Sequence, residues 1–365
     1  MKPLSAAYYV KENKGRALVI LFLLFLTASQ FLAGNYVNSV YYFWDAYMNY
    51  SDQLATVTAL STDENFSEFA EFTEDLMADD ALIVMPRSPR AHRGLPWDST
   101  MGFTMGTVSM VFNSPEDLRL AFEKLGIEGD FSKVEDQTIV ISTAMAKQYG
   151  LDVGDIVDGS VKEGFPGSYR ISALTTDDSF VVFYVDHDDT EPALRLNVIG
   201  KELTGQALRD HIDEIRAGRK AEVEKPIREE IDQQFVPCHL IFGAGIAILT
   251  VILAVIVNSV ITGQFIARTY EFGVYRAIGL SKRTVYFKVA RELLFMDAIA
   301  MFCGVVTCLI FTFLMNELLY IPTGKYLPYY SAEGMRAFLI SNLLVVVPTI
   351  LLKGRAMSKS NVTEF

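Results

Sequence analysis

The chain has 365 residues, 51% of them hydrophobic, and a formal net charge of −12. The apolar residues are concentrated in a few long runs, which excludes an ordinary soluble globular protein. The acidic balance argues against a nucleic-acid-binding protein. Three cysteines lie in or beside the apolar runs, so the long region between the first two runs has no internal disulfide.

Residues 1–16 predict an amphipathic helix on the membrane surface. Four runs then approach the roughly 20 helical residues that a bilayer core requires. The predicted spans are 17–36, 238–265, 292–316 and 336–353. The first has only a weak small-residue cleavage pattern, which argues against a signal peptide.

Lysine and arginine are concentrated in three short segments outside the spans: residues 1–16, 266–291 and 354–365. Short basic segments usually face the cytoplasm. We therefore expect both termini inside, with region 37–236 and the short loop 317–335 outside. Region 37–236 carries 17 lysines and arginines against 37 aspartates and glutamates, which leaves a net charge of −20. This charge either keeps the region soluble or attracts cationic ligands.

Region 37–236 predicts one large α+β domain. The segment 113–126, "NSPEDLRLAFEKLG", predicts a helix that Ser114 caps and Gly126 ends. Short alternating or β-branched runs such as "GFTMGTVSMVF", "QTIVIS" and "SFVVFYVD" predict strands. A charged segment from about Lys201 to Gln234 predicts a long helix that enters the second span. It is either a stalk that transmits motion or an ordinary helix that closes the domain.

Motifs of catalysis are absent from the sequence. It contains no G-x-x-x-x-G-K-[ST], H-E-x-x-H, G-x-S-x-G or C-x-x-C. The run "DHDD" at 186–189 offers oxygen ligands but lacks the EF-hand spacing, so we expect no metal site there. Asp297 lies near the start of the third span, where we expect its carboxylate to reach water.

The stretch "EFGVYRAIGLSKRTVYFK" at 271–288 separates the second and third spans. Gly279 is expected to end one helix and Ser281 to cap the next, which gives a tight helical hairpin. Val274, Ile278 and Leu280 are expected to be exposed beside basic side chains. Such a surface either docks another protein or simply contacts anionic lipid.

The longer stretch "YEFGVYRAIGLSKRTVYFKVARELL" resembles the signature of FtsX/MacB-type ABC transporter permeases, R-E-x-G-x-x-R-A-I-G-A-S followed by basic residues and a glutamate. The matching positions are Glu271, Gly273, Arg276, Ala277, Ile278, Gly279, Ser281 and Glu292. Tyr270 and Leu280 depart from it. The stretch "ISTAMAKQYGLDVGDIV" at 141–157 is similar to an element of the MacB-type exterior domain. The order of an amphipathic helix, one span, a large exterior domain and three further spans also agrees with this family.

The resemblance implies an α-helical protein of a bacterial inner membrane, with four transmembrane helices and a MacB-like α+β extracytoplasmic domain. It also implies that a separate cytoplasmic ABC ATPase binds ATP and Mg, so this chain would be no enzyme and would hold no cofactor. A second permease chain, identical or homologous, would complete the unit. The implied ATPase-docking residues are Glu271, Gly273, Val274, Arg276, Ala277, Ile278, Gly279, Leu280, Ser281, Lys282 and Arg283.

Besides a catalytically active membrane enzyme, three functions are compatible with these parts. The first is an exporter that moves a peptide, a lipid-linked molecule or an amphipathic molecule by mechanotransmission. The second is an FtsX-like regulator that acts on an exterior partner, such as a cell-wall hydrolase, without transport. The third is a sensor subunit that has no ATPase.

Overall fold

A computed structural model describes residues 11–60, 66–88, 92, 94–161, 165, 167–187 and 194–359. Most of the predicted amphipathic helix at 1–16 lies outside these residues. The backbone separates into two compact units. We call them the helical unit (Met1–Asn38, Pro237–Met315 and Leu327–Phe365) and the α/β unit (Ser39–Val236 and Asn316–Tyr326).

In chain order, the helices are α1 (Lys14–Phe25), α2 (Ser29–Gln53), α3 (Phe66–Ala78), α4 (Pro115–Leu125), α5 (Thr143–Tyr149), α6 (Gly205–Arg216), α7 (Ile227–Ala267), α8 (Thr269–Ala277), α9 (Lys282–Met315) and α10 (Ala332–Lys359). The strands are β1 (Leu54–Ala59), β2 (Leu82–Pro86), β3 (Trp97–Asp98), β4 (Thr104–Met105), β5 (Val108–Phe112), β6 (Thr138–Ser142), β7 (Ile156–Val157), β8 (Tyr169–Thr175), β9 (Val181–Val185), β10 (Arg195–Gly200) and β11 (Ala221–Val223).

Within the described residues, four helical stretches are long and apolar enough to cross a membrane. They are Ala17–Gln53, His239–Ala267, Lys282–Thr323 and Ala332–Leu352. Each overlaps one predicted span, and a region of helices and strands accompanies them. The expectation of four candidate membrane-spanning helices together with a mixed α and β region is therefore confirmed.

Polar side chains join the candidate spans to one another. Asn342 donates from Nδ2 to Asp297 Oδ1 at 2.8 Å, and the hydroxyls of Thr250 and Ser341 lie 2.7 Å apart. The expectation that Asp297 reaches water is wrong, because α10 covers its carboxylate and Asn342 satisfies it. A buried polar group in an apolar surrounding needs such a partner, since leaving it unpaired costs free energy.

The α/β unit contains a four-stranded sheet in the order β11-β1-β10-β2, in which every pair is antiparallel. Its chain order is β1-α3-β2 followed later by β10-α6-β11, which is a split β-α-β arrangement of ferredoxin-like type. Apolar residues of α3 and α6 pack on one face of this sheet, around Phe69, Phe72 and Leu208. The other face therefore turns away from these two helices.

A five-stranded sheet is inserted between β2 and β10, in the order β5-β9-β6-β8-β7. The pairs β5–β9 and β6–β8 are parallel, whereas β6–β9 and β7–β8 are antiparallel. Each residue of β6 and β9 is buried, as expected for central strands that are covered on both faces.

The helix cap, the helix stop and the strands predicted for this region are confirmed. Ser114 Oγ accepts a hydrogen bond from the Asp117 N–H at 3.1 Å, and Gly126 ends α4 at φ 68°. The "QTIVIS" and "SFVVFYVD" runs form β6 and β9. The "GFTMGTVSMVF" run is divided between β4 and β5, with Gly106 between them. Asp188 and Asp189 lie outside the described residues, so the expectation for "DHDD" stays a prediction.

The expectation of one long helix from Lys201 to Gln234 is wrong. Helix α6 ends at Arg216, and the two left-handed residues Ala217 (φ 49°) and Gly218 (φ 87°) reverse the chain. Strand β11 then pairs with β1, and α7 begins only after Pro226. Pairing with a distant strand has overridden the helix propensity of a charged, lysine- and glutamate-rich segment.

Candidate functional site

The stretch that follows α7 folds as a tight helical hairpin formed by α8 and the start of α9. At its turn, Gly279 has φ 95°. The Gly279 N–H donates to the Arg276 carbonyl and the Leu280 N–H donates to the Tyr275 carbonyl, both at 3.0 Å. These two bonds form a Schellman motif, which needs a residue that tolerates positive φ. Ser281 Oγ then accepts from the Thr284 N–H at 3.2 Å. The predicted helix stop and cap are thus confirmed.

One face of the hairpin is buried. Phe272 and Val285 form its core, and Phe265, Tyr275, Leu280, Tyr286 and Val289 pack against them. The expectation that Leu280 is exposed is wrong, because this side chain is half-buried against the core. In a Schellman motif the residue after the glycine turns back onto the last turn of the helix, which accounts for its position.

A buried ion cluster joins α8 to α9. Arg268 donates to both carboxylate oxygens of Glu271, at 2.8 and 3.0 Å, and to Glu292 Oε2 at 2.8 Å. Lys288 Nζ lies 2.6 Å from Glu292 Oε1 and 3.4 Å from Glu271 Oε1. Two cations and two carboxylates therefore neutralise one another inside the hairpin. Such geometry is required before a buried ion pair can offset its desolvation cost.

The protonation properties of Glu271 reflect this cluster. Burial alone raises the pKa of Glu271, but the hydrogen bonds and charge of Arg268 hold the pKa at about 2. Burial likewise lowers the pKa of Arg268, and its two carboxylate partners more than offset that effect and raise it. Burial and the hydrogen bond to Glu271 raise the pKa of Tyr275 to about 12. All three groups keep their ordinary charge states at neutral pH.

The opposite face of α8 carries exposed apolar side chains. Tyr270, Val274 and Ile278 follow one another at intervals of four residues and are 85%, 43% and 71% exposed. We call these three residues the apolar stripe. Residues four apart lie on the same face of a helix, and Ile278 is the C-cap of α8, so the stripe runs along α8 to its end. Sequence reasoning found Val274 and Ile278 but missed Tyr270, although the four-residue spacing was visible in the sequence.

The other predicted docking residues differ in exposure. Ala277, Gly279 and Ser281 are exposed, whereas Gly273 and Lys282 are half-buried. Arg283 is exposed, and its guanidinium carbon lies 5.5 Å from the centre of the Phe287 ring. The structure turns the carboxylate of Glu271 into the ion cluster, away from the stripe. The docking role of all these residues stays a prediction.

Arg276 is the remaining basic member of this set. It is half-buried, and its Nη1 atom is enclosed without a hydrogen-bond partner among the described residues. Because buried guanidinium donors are normally satisfied, this atom is a candidate contact for an acceptor supplied from outside the chain.

The two sides of the hairpin differ in chemistry. The ion cluster is closed by internal pairs, and the exposed side offers apolar and cationic groups. In the part of the chain that the structure describes, no group of three or more histidine, cysteine, aspartate or glutamate side chains could hold a metal ion.

Comparison with known proteins supports the resemblance at residue 271. Residues 242–356 match the FtsX-like permease C-terminal family, a segment that includes the whole hairpin and extends into α10. No curated protein sequence matches the chain. The match is consistent with an FtsX/MacB-type ABC permease and indicates a permease-type membrane component of an ABC-type system.

Proposed function

We propose that this permease-type component docks a separate cytoplasmic ABC ATPase on the apolar stripe, and that ATP-driven movement passes from there to the α/β unit. The exposed stripe on α8, inside the segment that matches the FtsX-like family, carries the proposal. That family usually works with an ABC ATPase partner. ATP and Mg would be bound by that partner.

The exposure of the apolar stripe is the first observation that supports docking. Three large apolar side chains on one short helix, with Arg283 and the half-buried Arg276 nearby, resemble the centre and rim of a protein interface. Tyrosine and arginine are the residue types that most often carry binding energy at such interfaces. An apolar stripe beside basic side chains also suits an anionic membrane surface, and loss of a bound ATPase from the variant described below separates the two roles.

Rigidity is the second requirement, because a surface that bends on contact cannot transmit movement. The Schellman motif, the Phe272–Val285 core and the ion cluster fix α8 against α9. Helix α7 ends one residue before α8, after 41 residues in a single helix. Movement of α8 would therefore be passed on to α7 and α9 through short covalent connections and buried contacts.

The proposal extends to the composition of the whole complex. Two permease chains, identical or homologous, would carry two ATPases in an inner membrane, with both termini of each chain in the cytoplasm. The α/β unit would then be extracytoplasmic. Its movement would export or extract a peptide, a lipid-linked molecule or an amphipathic molecule.

The match to the FtsX-like family itself favours a second candidate function. In that case the chain would regulate an exterior partner, such as a cell-wall hydrolase, without transport. ATPase activity of the complex distinguishes the two functions. Stimulation by an added peptide or lipid-linked molecule supports transport, whereas stimulation only by a hydrolase partner supports regulation.

Purification of the chain from its native membrane tests the docking surface. We expect a stoichiometric ATPase, identified by its G-x-x-x-x-G-K-[ST] motif, with the unaltered chain. Ile278→Asp should reduce the bound ATPase at least tenfold, because a carboxylate would be buried in an apolar contact at a cost of about 2 kcal/mol or more.

Val153→Asp is the matched control. Val153 is also a half-exposed apolar residue but belongs to the α/β unit, far along the chain from α8. Its change should leave the ATPase bound. Retention of the ATPase by a folded, inserted Ile278→Asp protein would place the contact elsewhere.

A further inference from the structure

A polar cleft lies on the four-stranded sheet, on the face that α3 and α6 do not cover. It has a volume of about 260 Å³. Thr58 pairs with Arg195 of β10 on one side and with Glu222 of β11 on the other, so these three side chains share one face of the sheet. The lining is completed by Thr56, Arg87 and Glu224.

The cleft holds two arginines and two glutamates that form no direct ion pair in the described part of the chain. Within the described residues, neither Arg87 nor Arg195 has a carboxylate oxygen within 4.0 Å, although Glu222 and Glu224 line the same cleft. Charged side chains that share a small cleft normally form ion pairs unless the backbone holds them apart. Arg195 lies in β10 and Glu222 in β11, whereas Arg87 directly follows β2 and Glu224 directly follows β11, so the sheet sets the spacing of the four side chains.

Arg87 provides an independent indication that the cleft binds a carboxylate. Its Nη1 donates to Thr56 Oγ1 at 3.1 Å, but its Nε is buried and has no hydrogen-bond partner in the described part of the chain. Burial lowers the pKa of this guanidinium, and the nearby charge of Glu224 offsets that effect only in part. A half-buried guanidinium in this condition favours an incoming carboxylate, which accepts hydrogen bonds from two donors at once.

We propose that this cleft binds a small zwitterion of amino-acid or dipeptide size. Its carboxylate would lie between Arg87 and Arg195, and its ammonium group would face Glu222 and Glu224. The volume is just below the usual range for drug-sized ligands, which suits such a molecule. A ligand with only negative charge would be repelled by the glutamates, and a simple cation by the arginines.

The inference concerns only the α/β unit and does not depend on ATPase docking. Isothermal titration of the full chain in detergent tests it with three probes: L-alanyl-L-alanine, its N-acetyl derivative and its C-terminal amide. We expect the free dipeptide to bind, and loss of either charge to weaken binding about tenfold. Equal affinities for the three probes, or no binding of the dipeptide, would overturn the proposal.

Two substitutions test where the carboxylate and the ammonium group of the dipeptide bind. Arg195→Gln should remove the preference for a free carboxylate, and Glu224→Gln should remove the preference for a free amine. Arg195 is chosen because the bond from Arg87 to Thr56 contributes to the fold. Arg170→Gln and Glu135→Gln alter an exposed ion pair elsewhere in the same unit and serve as controls. Binding that is unchanged in Arg195→Gln and Glu224→Gln would show that the dipeptide occupies another place.

Discussion

Glu292 is the most enclosed member of the hairpin's ion cluster, with 2% of its side chain exposed. It receives hydrogen bonds from Arg268 and Lys288, one on each carboxylate oxygen. Glu271 contacts the same two cations, but 35% of its side chain is exposed. Water can therefore replace part of the compensation that Glu271 gives to the two cations. It cannot do so for Glu292, which is buried.

We expect Glu292→Gln to destabilise the hairpin by about 3 kcal/mol, because two buried cations lose the charge that compensates them. Hydrogen exchange of the Gly279 and Leu280 amides measures this directly. Their exchange should accelerate by about a hundredfold if local opening governs it. Glu271→Gln is the matched control and should have a clearly smaller effect. Equal effects of the two changes would contradict this account of the cluster.

At the residue scale, sequence predicts local geometry well and distant pairing poorly. Gly279 and Ser281 could be assigned in advance, because a helix stop and a helix cap depend on a few neighbouring residues. The contact of Lys288 with Glu271 and that of Glu292 with Arg268 could not, because they form only after the chain has turned. The same holds for Asp297, which meets Asn342 from another helix.

At the scale of elements, α2 and α10 approach each other closely within the helical unit. A Cβ atom on Gly34 would lie 2.3 Å from the Gly334 Cα. Beside this contact, Asn35 donates to the Tyr329 carbonyl at 3.1 Å and accepts from Ser331 Oγ at 2.8 Å. Small residues that let helix backbones approach, with polar side chains beside them, are typical of helix contacts in membranes.

Gly34→Ala should lower stability by about 1–3 kcal/mol, because the new methyl group would collide with the backbone of α10. Thermal unfolding of the purified chain in detergent measures the change. Gly245→Ala is the control, since a Cβ atom there would meet nothing within 4 Å. Alanine is the better helix former, so that control should be neutral or stabilising. A rise in stability for both variants would show that the two helices are not in close contact at Gly34.

The elements also show why sequence prediction failed between α6 and α7. The charged residues there favour a helix, although Gly218 and Pro226 are local breaks in it, and three residues are too few for the alternation that would indicate a strand. Strand β11 exists because β1 offers an unpaired edge, and β1 lies more than 150 residues earlier in the chain. By contrast, α4 was predictable with its cap, because every signal lies within the element or directly beside it.

At the scale of the whole molecule, hydropathy indicated four candidate spans because membrane helices need long apolar runs. The order of strands in the two sheets could not be predicted, because it depends on pairings between distant segments. The insertion of one sheet between β2 and β10 is the clearest case. The position of the hairpin between the second and third spans could be predicted from the sequence. The proposal that an ATPase docks on the apolar stripe depends on that position.

Site-specific photo-crosslinking in native membranes tests that proposal most directly. Ile278 is replaced by a photoreactive amino acid, Val153 is replaced in the same way as the control, and the adducts are identified by mass spectrometry. The proposal predicts an adduct with an ABC ATPase from position 278 and none from position 153. Absence of an ATPase adduct at position 278, or equal ATPase adducts from both positions, would contradict docking on the apolar stripe.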